Sequence, residues 1–146
     1  MKRMFLTVLF CSCVFNGIAQ QWGKDLYVGL KEASQQNKKV LLFFSVPEHC
    51  DTCVKLEQNI FKSPEFLAFA NDHYVLVKID FSYQEEGLNK DELQKNLLIV
   101  EKYNKDGFFP HVVVINKEAK IALKTEVYNN ETPQEYLSLL KKNSKS

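Results

Sequence analysis

The chain has 146 residues, of which 45% are hydrophobic and 25% are charged, a composition typical of one globular domain with a single core. It excludes a mostly disordered protein, and the sequence has no internal repeat that would indicate a solenoid. With 19 basic and 18 acidic residues the net charge is +1, so nothing in the charge balance favours nucleic acid as a partner.

The first 19 residues are typical of a secretory signal. Lys2 and Arg3 precede an apolar run over residues 4–15, and small residues lead to an expected cleavage after Ala19. The run is shorter than the roughly 20 residues that span a bilayer. We therefore expect an exported protein, periplasmic or secreted, with no membrane insertion after cleavage and one mature domain over residues 20–146.

The first half of that domain is predicted to alternate helices and strands, because apolar residues recur at helical spacing between continuous apolar runs. In chain order we expect a helix over residues 23–36, a strand over 40–44, helices over 50–61 and from 64, and a strand over 74–80. Pro47 ends the first strand, and Ser63 with Pro64 is a typical helix start.

The second half is predicted to contain a helix, a hairpin and a last helix. After a polar loop over 82–89 we expect a helix over 90–103, antiparallel strands over 111–115 and 121–127, and a helix from 133 to about 142. The order predicts an α/β fold, with a mixed sheet covered by helices on both faces.

The cysteines point to chemistry rather than to structural cross-linking. Cys11 and Cys13 would be removed with the signal, and the residues before them do not fit a lipoprotein signal. The remaining pair, Cys50 and Cys53, closes too short a loop to stabilise a fold appreciably. At the predicted start of a helix, free N–H groups would stabilise a Cys50 thiolate as nucleophile, and Cys53 would resolve the mixed disulfide.

The segment over residues 40–80, which contains the cysteine pair, resembles the thioredoxin family. The motif Phe43-Phe44-Ser45-x4-Cys50-Asp51-Thr52-Cys53-x3-Glu57 is most similar to the thioredoxin-like C-terminal domain of transmembrane thiol:disulfide interchange reductases. The segment Phe109-Pro110-His111 is similar to the family's cis-proline before a central strand. The resemblance implies a thioredoxin fold with a redox disulfide between Cys50 and Cys53, and a cis bond before Pro110 beside it.

Several positions depart from the family pattern. His49 stands where a tryptophan is usual, Asp51-Thr52 where Gly-Pro is usual, and Phe44 where a buried aspartate is usual. Because that aspartate is missing, we expect Glu57, one helical turn after Cys53, to accept the Cys53 proton.

The sequence predicts a thiol:disulfide oxidoreductase, and a reductase because the Asp51 carboxylate disfavours the neighbouring thiolate. The expected partners are disulfide-containing proteins and an upstream thiol reductant, with no cofactor, and the protein is expected to be a monomer. Two alternatives stay open. One is a metal-binding or metal-delivery module using Cys50, Cys53 and His49 or His111, and the other is a non-catalytic adaptor.

Overall fold

The computed structural model describes residues 21–81 and 89–142. The predicted signal segment and most of the predicted polar loop therefore lie outside the described residues. The elements are α1 (Leu26–Gln35), β1 (Lys39–Ser45), α2 (Asp51–Leu56), α3 (Pro64–His73), β2 (Tyr74–Asp80), α4 (Lys90–Tyr103), β3 (His111–Ile115), β4 (Ile121–Lys124) and α5 (Pro133–Lys142). None of the helices in this part of the chain is long and apolar enough to cross a membrane.

The four strands form one mixed sheet in the order β2-β1-β3-β4. β1 and β2 are parallel, with Val40 opposite Val75, while β3 is antiparallel to both β1 and β4. The predicted combination of a parallel pair with a hairpin is therefore confirmed. β1 lies between two strands and is covered on both faces, which explains its unbroken apolar run.

The sheet separates two apolar cores, because successive side chains of a strand point to opposite faces. The cysteine-side core contains Cys53 and also Leu41, Phe43, Leu56, Phe61, Leu76 and Tyr136. The opposite core contains Val40, Leu42, Phe44, Val77, Ile99 and Val113. A residue's place in β1 thus decides whether it lies on the side of the cysteine pair.

The first helix is shorter than predicted, because residues 23–25 have other roles. Gly23 forms a parallel bridge with Val77: its N–H donates to the Leu76 carbonyl at 2.9 Å, and its carbonyl accepts from the Lys78 N–H at 2.9 Å. Asp25 then caps α1, since its carboxylate accepts the first free N–H groups of the helix at 2.8 and 3.0 Å.

The predicted helix over residues 50–61 is divided in two. Regular α-helix ends at Leu56, and Glu57–Phe61 forms a π-helical turn in which the Lys62 N–H reaches the Glu57 carbonyl at 3.1 Å. The wider turn changes the phase of the helix, and both Ile60 and Phe61 are buried.

The last strand is also shorter than predicted, since β4 ends at Lys124 rather than at residue 127. Thr125 extends the pairing by one backbone hydrogen bond, from its N–H to the Val112 carbonyl at 3.0 Å. The partner strand begins at His111, directly after Pro110, which has no N–H to continue the ladder.

Candidate active site

Cys50 and Cys53 lie where β1 leads into α2. A short 3-10 turn, Pro47–His49, follows the strand, and Cys50 is the N-cap residue of α2. The two cysteines are joined by a disulfide, with their Cα atoms 5.2 Å apart. The pair therefore occupies the strand-to-helix junction expected from the sequence.

The two sulfurs have different surroundings. Cys50 is partly exposed, whereas Cys53 is only 1% exposed and belongs to the cysteine-side core. The backbone N–H of Cys53 donates to Cys50 Sγ at 3.1 Å. A positively polarised helix end and a directed N–H both stabilise negative charge on sulfur, so the arrangement suits a Cys50 thiolate.

The segment before β3 reaches the same end of the sheet. The Phe109–Pro110 bond is cis, as predicted. The next residue, His111, is paired with Phe44 near the end of β1, just before the chain turns towards Cys50. Phe109 and Cys50 both pack against the cysteine-side core. The register thus favours the predicted placement of Pro110 near the cysteine pair.

The two histidines singled out in the sequence occupy different environments. His49 is exposed at the end of the 3-10 turn, directly before Cys50. His111 is half-buried and stacks on Phe44, with ring centroids 6.1 Å apart. Burial and the positive charge of Lys124 lower the His111 pKa, against the opposing effects of the Tyr103 backbone hydrogen bond and Asp106.

Phe43, and not Phe44, is the β1 side chain on the face of Cys53. The side chain of Phe44, at the position where the family usually has a buried aspartate, lies in the opposite core. The side chain that faces Cys53 is still an aromatic one. No carboxylate from β1 is available there.

Glu57 is engaged in an ion pair that its sequence context does not predict. Its carboxylate lies 2.8 Å from Lys78 Nζ, which is also 3.5 Å from a carboxylate oxygen of Asp80. The same Nζ lies 5.7 Å from the centroid of the Phe43 ring, on the cysteine side of the sheet. One signal was present in the sequence, since Lys78 is a charged residue within an otherwise apolar strand run.

A metal site was the main alternative use of these residues. In the two described ranges, no three His, Cys, Asp or Glu side chains come together in a way that could hold a metal ion. His49 and His111 do not form such a group with the cysteine pair.

Comparison with known proteins gives matches over most of the chain. A family model described as Thioredoxin-like matches residues 21–117. The disulfide bond reductase DsbH of Chlamydia pneumoniae is 34% identical over 100 residues, which are 68% of this chain and 58% of that protein. The chain thus matches little more than half the length of this curated relative.

Two solved structures extend the comparison. A structure titled DsbH Oxidoreductase superposes with a TM-score of 0.76 at 30% identity, covering 86% of this chain and 84% of that one. The oxidised DsbD C-terminal domain of Neisseria meningitidis gives a TM-score of 0.57 at 16% identity, covering 84% of this chain and 99% of that one, which supports the fold alone. The α/β thioredoxin fold predicted from the sequence is confirmed.

Proposed function

Since this chain belongs to the thioredoxin-like family, we propose that it is an exported thiol:disulfide oxidoreductase, acting as a reductase through Cys50 and Cys53. The observation that carries the proposal is the asymmetry of the pair. Cys50 is partly exposed at a helix N-terminus, and Cys53 is buried behind it within disulfide distance. This is the arrangement that dithiol exchange requires.

In the first step the Cys50 thiolate attacks one sulfur of a substrate disulfide. A bond forms between Cys50 Sγ and that sulfur, the substrate's own S–S bond breaks, and its second sulfur leaves as a thiolate. The N–H of Cys53, which lies 3.1 Å from Cys50 Sγ in the oxidised protein, is placed to stabilise the attacking thiolate.

In the second step Cys53 loses its proton and attacks Cys50 Sγ. The Cys50–Cys53 disulfide forms and the second substrate thiolate is released, so the substrate gains two electrons that the protein loses. The described structure corresponds to this oxidised product. A thiol reductant must then reduce the pair before another turnover.

The direction of transfer follows from charge near the attacking sulfur. Asp51, exposed at the first position of α2, lies between the two cysteines in sequence. Its negative charge opposes a thiolate on Cys50, which favours the disulfide form of the protein and makes the dithiol form more reducing. The relative named as a disulfide bond reductase supports the same direction.

The roles of the two cysteines are tested by reactivity. Alkylation of the reduced protein near neutral pH should modify Cys50 first, because Cys53 is buried. Cys53→Ser should accumulate mixed disulfides with a protein substrate such as insulin, whereas Cys50→Ser should neither trap nor reduce it. Preferential labelling of Cys53, or insulin reduction by Cys50→Ser, would contradict the assignment.

Glu57 is proposed to accept the proton of Cys53 in the second step, with Lys78 holding its carboxylate in place. Glu57→Gln should slow release of the reduced substrate while leaving the first attack unchanged, which stopped-flow kinetics can separate. Asp80→Asn is the matched control, because it also removes a carboxylate from Lys78 but at 3.5 Å. Equal release rates for Glu57→Gln and the native protein would exclude this role.

Export and the signal segment need a separate test. The proposal expects that the protein, expressed with its own N-terminus, is recovered outside the cytoplasm and begins at Gln20 after processing. Recovery of the unprocessed chain from the cytoplasm would contradict it.

Tight binding of Zn²⁺ or Cu⁺ that protects both thiols, without disulfide reduction, would favour the metal-delivery alternative instead.

A further inference from the structure

The loop between α4 and β3 is held by one buried side chain. Asn104 follows the last residue of α4 and is only 2% exposed. Its side-chain Nδ2 donates to the Phe108 carbonyl at 2.9 Å, and its Oδ1 accepts the Phe108 N–H at 3.2 Å. Both polar backbone groups of Phe108 are therefore paired with a single amide.

This pairing requires both the Nδ2 donor and the Oδ1 acceptor of the Asn104 side chain. Aspartate at the same position would keep the acceptor for the Phe108 N–H but would place a second oxygen opposite the Phe108 carbonyl. The backbone of the loop adds one bond, from the Gly107 N–H to the Asn104 carbonyl at 2.9 Å. Gly107 adopts a φ of +68°, which a glycine accepts without strain. The loop is thus fixed in one conformation from Asn104 to Phe108.

The fixed loop presents an apolar side chain to solvent. Phe108 is 57% exposed, although the next residue, Phe109, packs against both cores and Pro110 is buried. Val54, one helical turn after Cys50 in α2, is a second exposed apolar residue, 39% exposed. Because the Phe108 backbone is already held in place, binding a partner through the ring costs little additional backbone entropy, which favours a role in recognition.

We propose that Asn104 is a positioning residue that holds the Gly107–Phe108 backbone so that the Phe108 ring contacts an apolar side chain adjacent to the substrate cysteine. The inference rests on the proposed reductase function and goes further, because it assigns the substrate class. The preferred substrates are disulfides in extended protein segments whose cysteine has an apolar neighbour. Small disulfides without a peptide chain do not reach Phe108.

Three substrates separate recognition from chemistry. They are a peptide disulfide with Leu next to the attacked cysteine, the same peptide with Ser in place of that Leu, and bis(2-hydroxyethyl) disulfide. Phe108→Ala should lower kcat/KM for the Leu peptide by about five- to tenfold, as expected for losing most of one aromatic contact. It should lower kcat/KM for the Ser peptide less than about twofold and leave the small disulfide unchanged.

Matched variants test whether the loss of kcat/KM comes from the apolar contact of Phe108. Leu97→Ala removes a side chain of similar exposure, 54%, from α4 and should change none of the three rates. Phe108→Leu should restore part of the preference for the Leu peptide, because it keeps an apolar contact. Phe108 is exposed, so these variants are expected to fold.

The role of Asn104 is tested by the ratio of kcat/KM for the two peptides. Asn104→Asp should reduce the ratio of Leu-peptide to Ser-peptide kcat/KM about as much as Phe108→Ala, and the double variant should reduce it no further. The reduction potential of the cysteine pair should stay at its native value. Asn96→Ala, which alters a buried asparagine within α4, should leave the ratio unchanged.

Two results would overturn the inference. One is an unchanged peptide ratio in Phe108→Ala, and the other is an equal loss on all three substrates in Asn104→Asp, which would mean a purely structural role. Failure of the native protein to reduce any of the three disulfides would instead refute the proposed function, and the inference with it.

Discussion

At the scale of single residues, His111 should make the stability of the protein depend on pH. Burial is the largest cause that lowers its pKa below the ordinary value of 6.5. As pH falls through 6.5 the unfolded chain therefore takes up the proton before the folded protein does, and the free energy of unfolding decreases. We expect urea unfolding to show this loss between pH 7.5 and pH 5, and His111→Gln to reduce it.

Comparing the native protein with His111→Gln separates the effect of His111 from that of the carboxylates, which take up protons mainly below pH 5. His73→Gln, at an exposed position at the end of α3, is the matched control for the exchange of a histidine for glutamine. A native protein whose unfolding free energy falls no more than that of His111→Gln would contradict the prediction.

The residues that carry chemistry differ in how far the sequence reveals them. Cys50, Cys53 and Pro110 could be placed because their spacing and flanking elements are local properties of the chain. Lys78 and Asn104 could not, because the importance of each comes from a contact made in the folded state. Lys78 meets Glu57 from 21 positions away in sequence, across the sheet-to-helix interface.

At the scale of elements, the packing of α1 on β2 depends on Gly29. A Cβ at this position would lie 2.5 Å from a methyl carbon of Val77, closer than any real contact. Alanine favours a helix by about 1 kcal/mol over glycine, but overpacking costs about 1–3 kcal/mol. We expect Gly29→Ala to be net destabilising in chemical denaturation, by up to about 2 kcal/mol.

A double-mutant cycle separates the clash from other effects of the substitution. Val77→Ala removes the methyl group in question, so Gly29→Ala should be much better tolerated in that background. Lys31→Ala at an exposed position of the same helix should be near neutral. Additive effects of Gly29→Ala and Val77→Ala would show that the helix and strand can separate enough to accept the methyl.

The elements themselves were largely predictable, because their apolar patterns are strong and local. The ends of the elements were less predictable. The sequence favoured a helix from residue 23, yet Gly23 pairs with Val77, and a strand partner distant in sequence outweighs the local helical pattern. The π-helical turn at Glu57–Phe61 has no local signature either, since it arises from burying two adjacent side chains in one core.

At the scale of the whole molecule, the sheet has two outer strands, β2 and β4. The outer side of a strand exposes N–H and C=O groups that can pair with another chain. On β2 the bridge from Gly23 occupies the Leu76 carbonyl and the Lys78 N–H. The short segment ahead of α1 therefore covers part of this edge.

The bridge has a consequence for how molecules of this protein meet one another. Gly23→Pro removes the N–H that bonds to Leu76 and should open the outer edge of β2 to strands from other copies. Gly23→Ala keeps that N–H, and its Cβ would make only ordinary contacts, the shortest at 3.5 Å. We expect light scattering to show concentration-dependent aggregation for the proline variant and none for the alanine variant. On this view a single backbone bridge ahead of the first helix protects the protein from edge-to-edge aggregation, and equal scattering by the two variants would show that the bridge does not protect this edge.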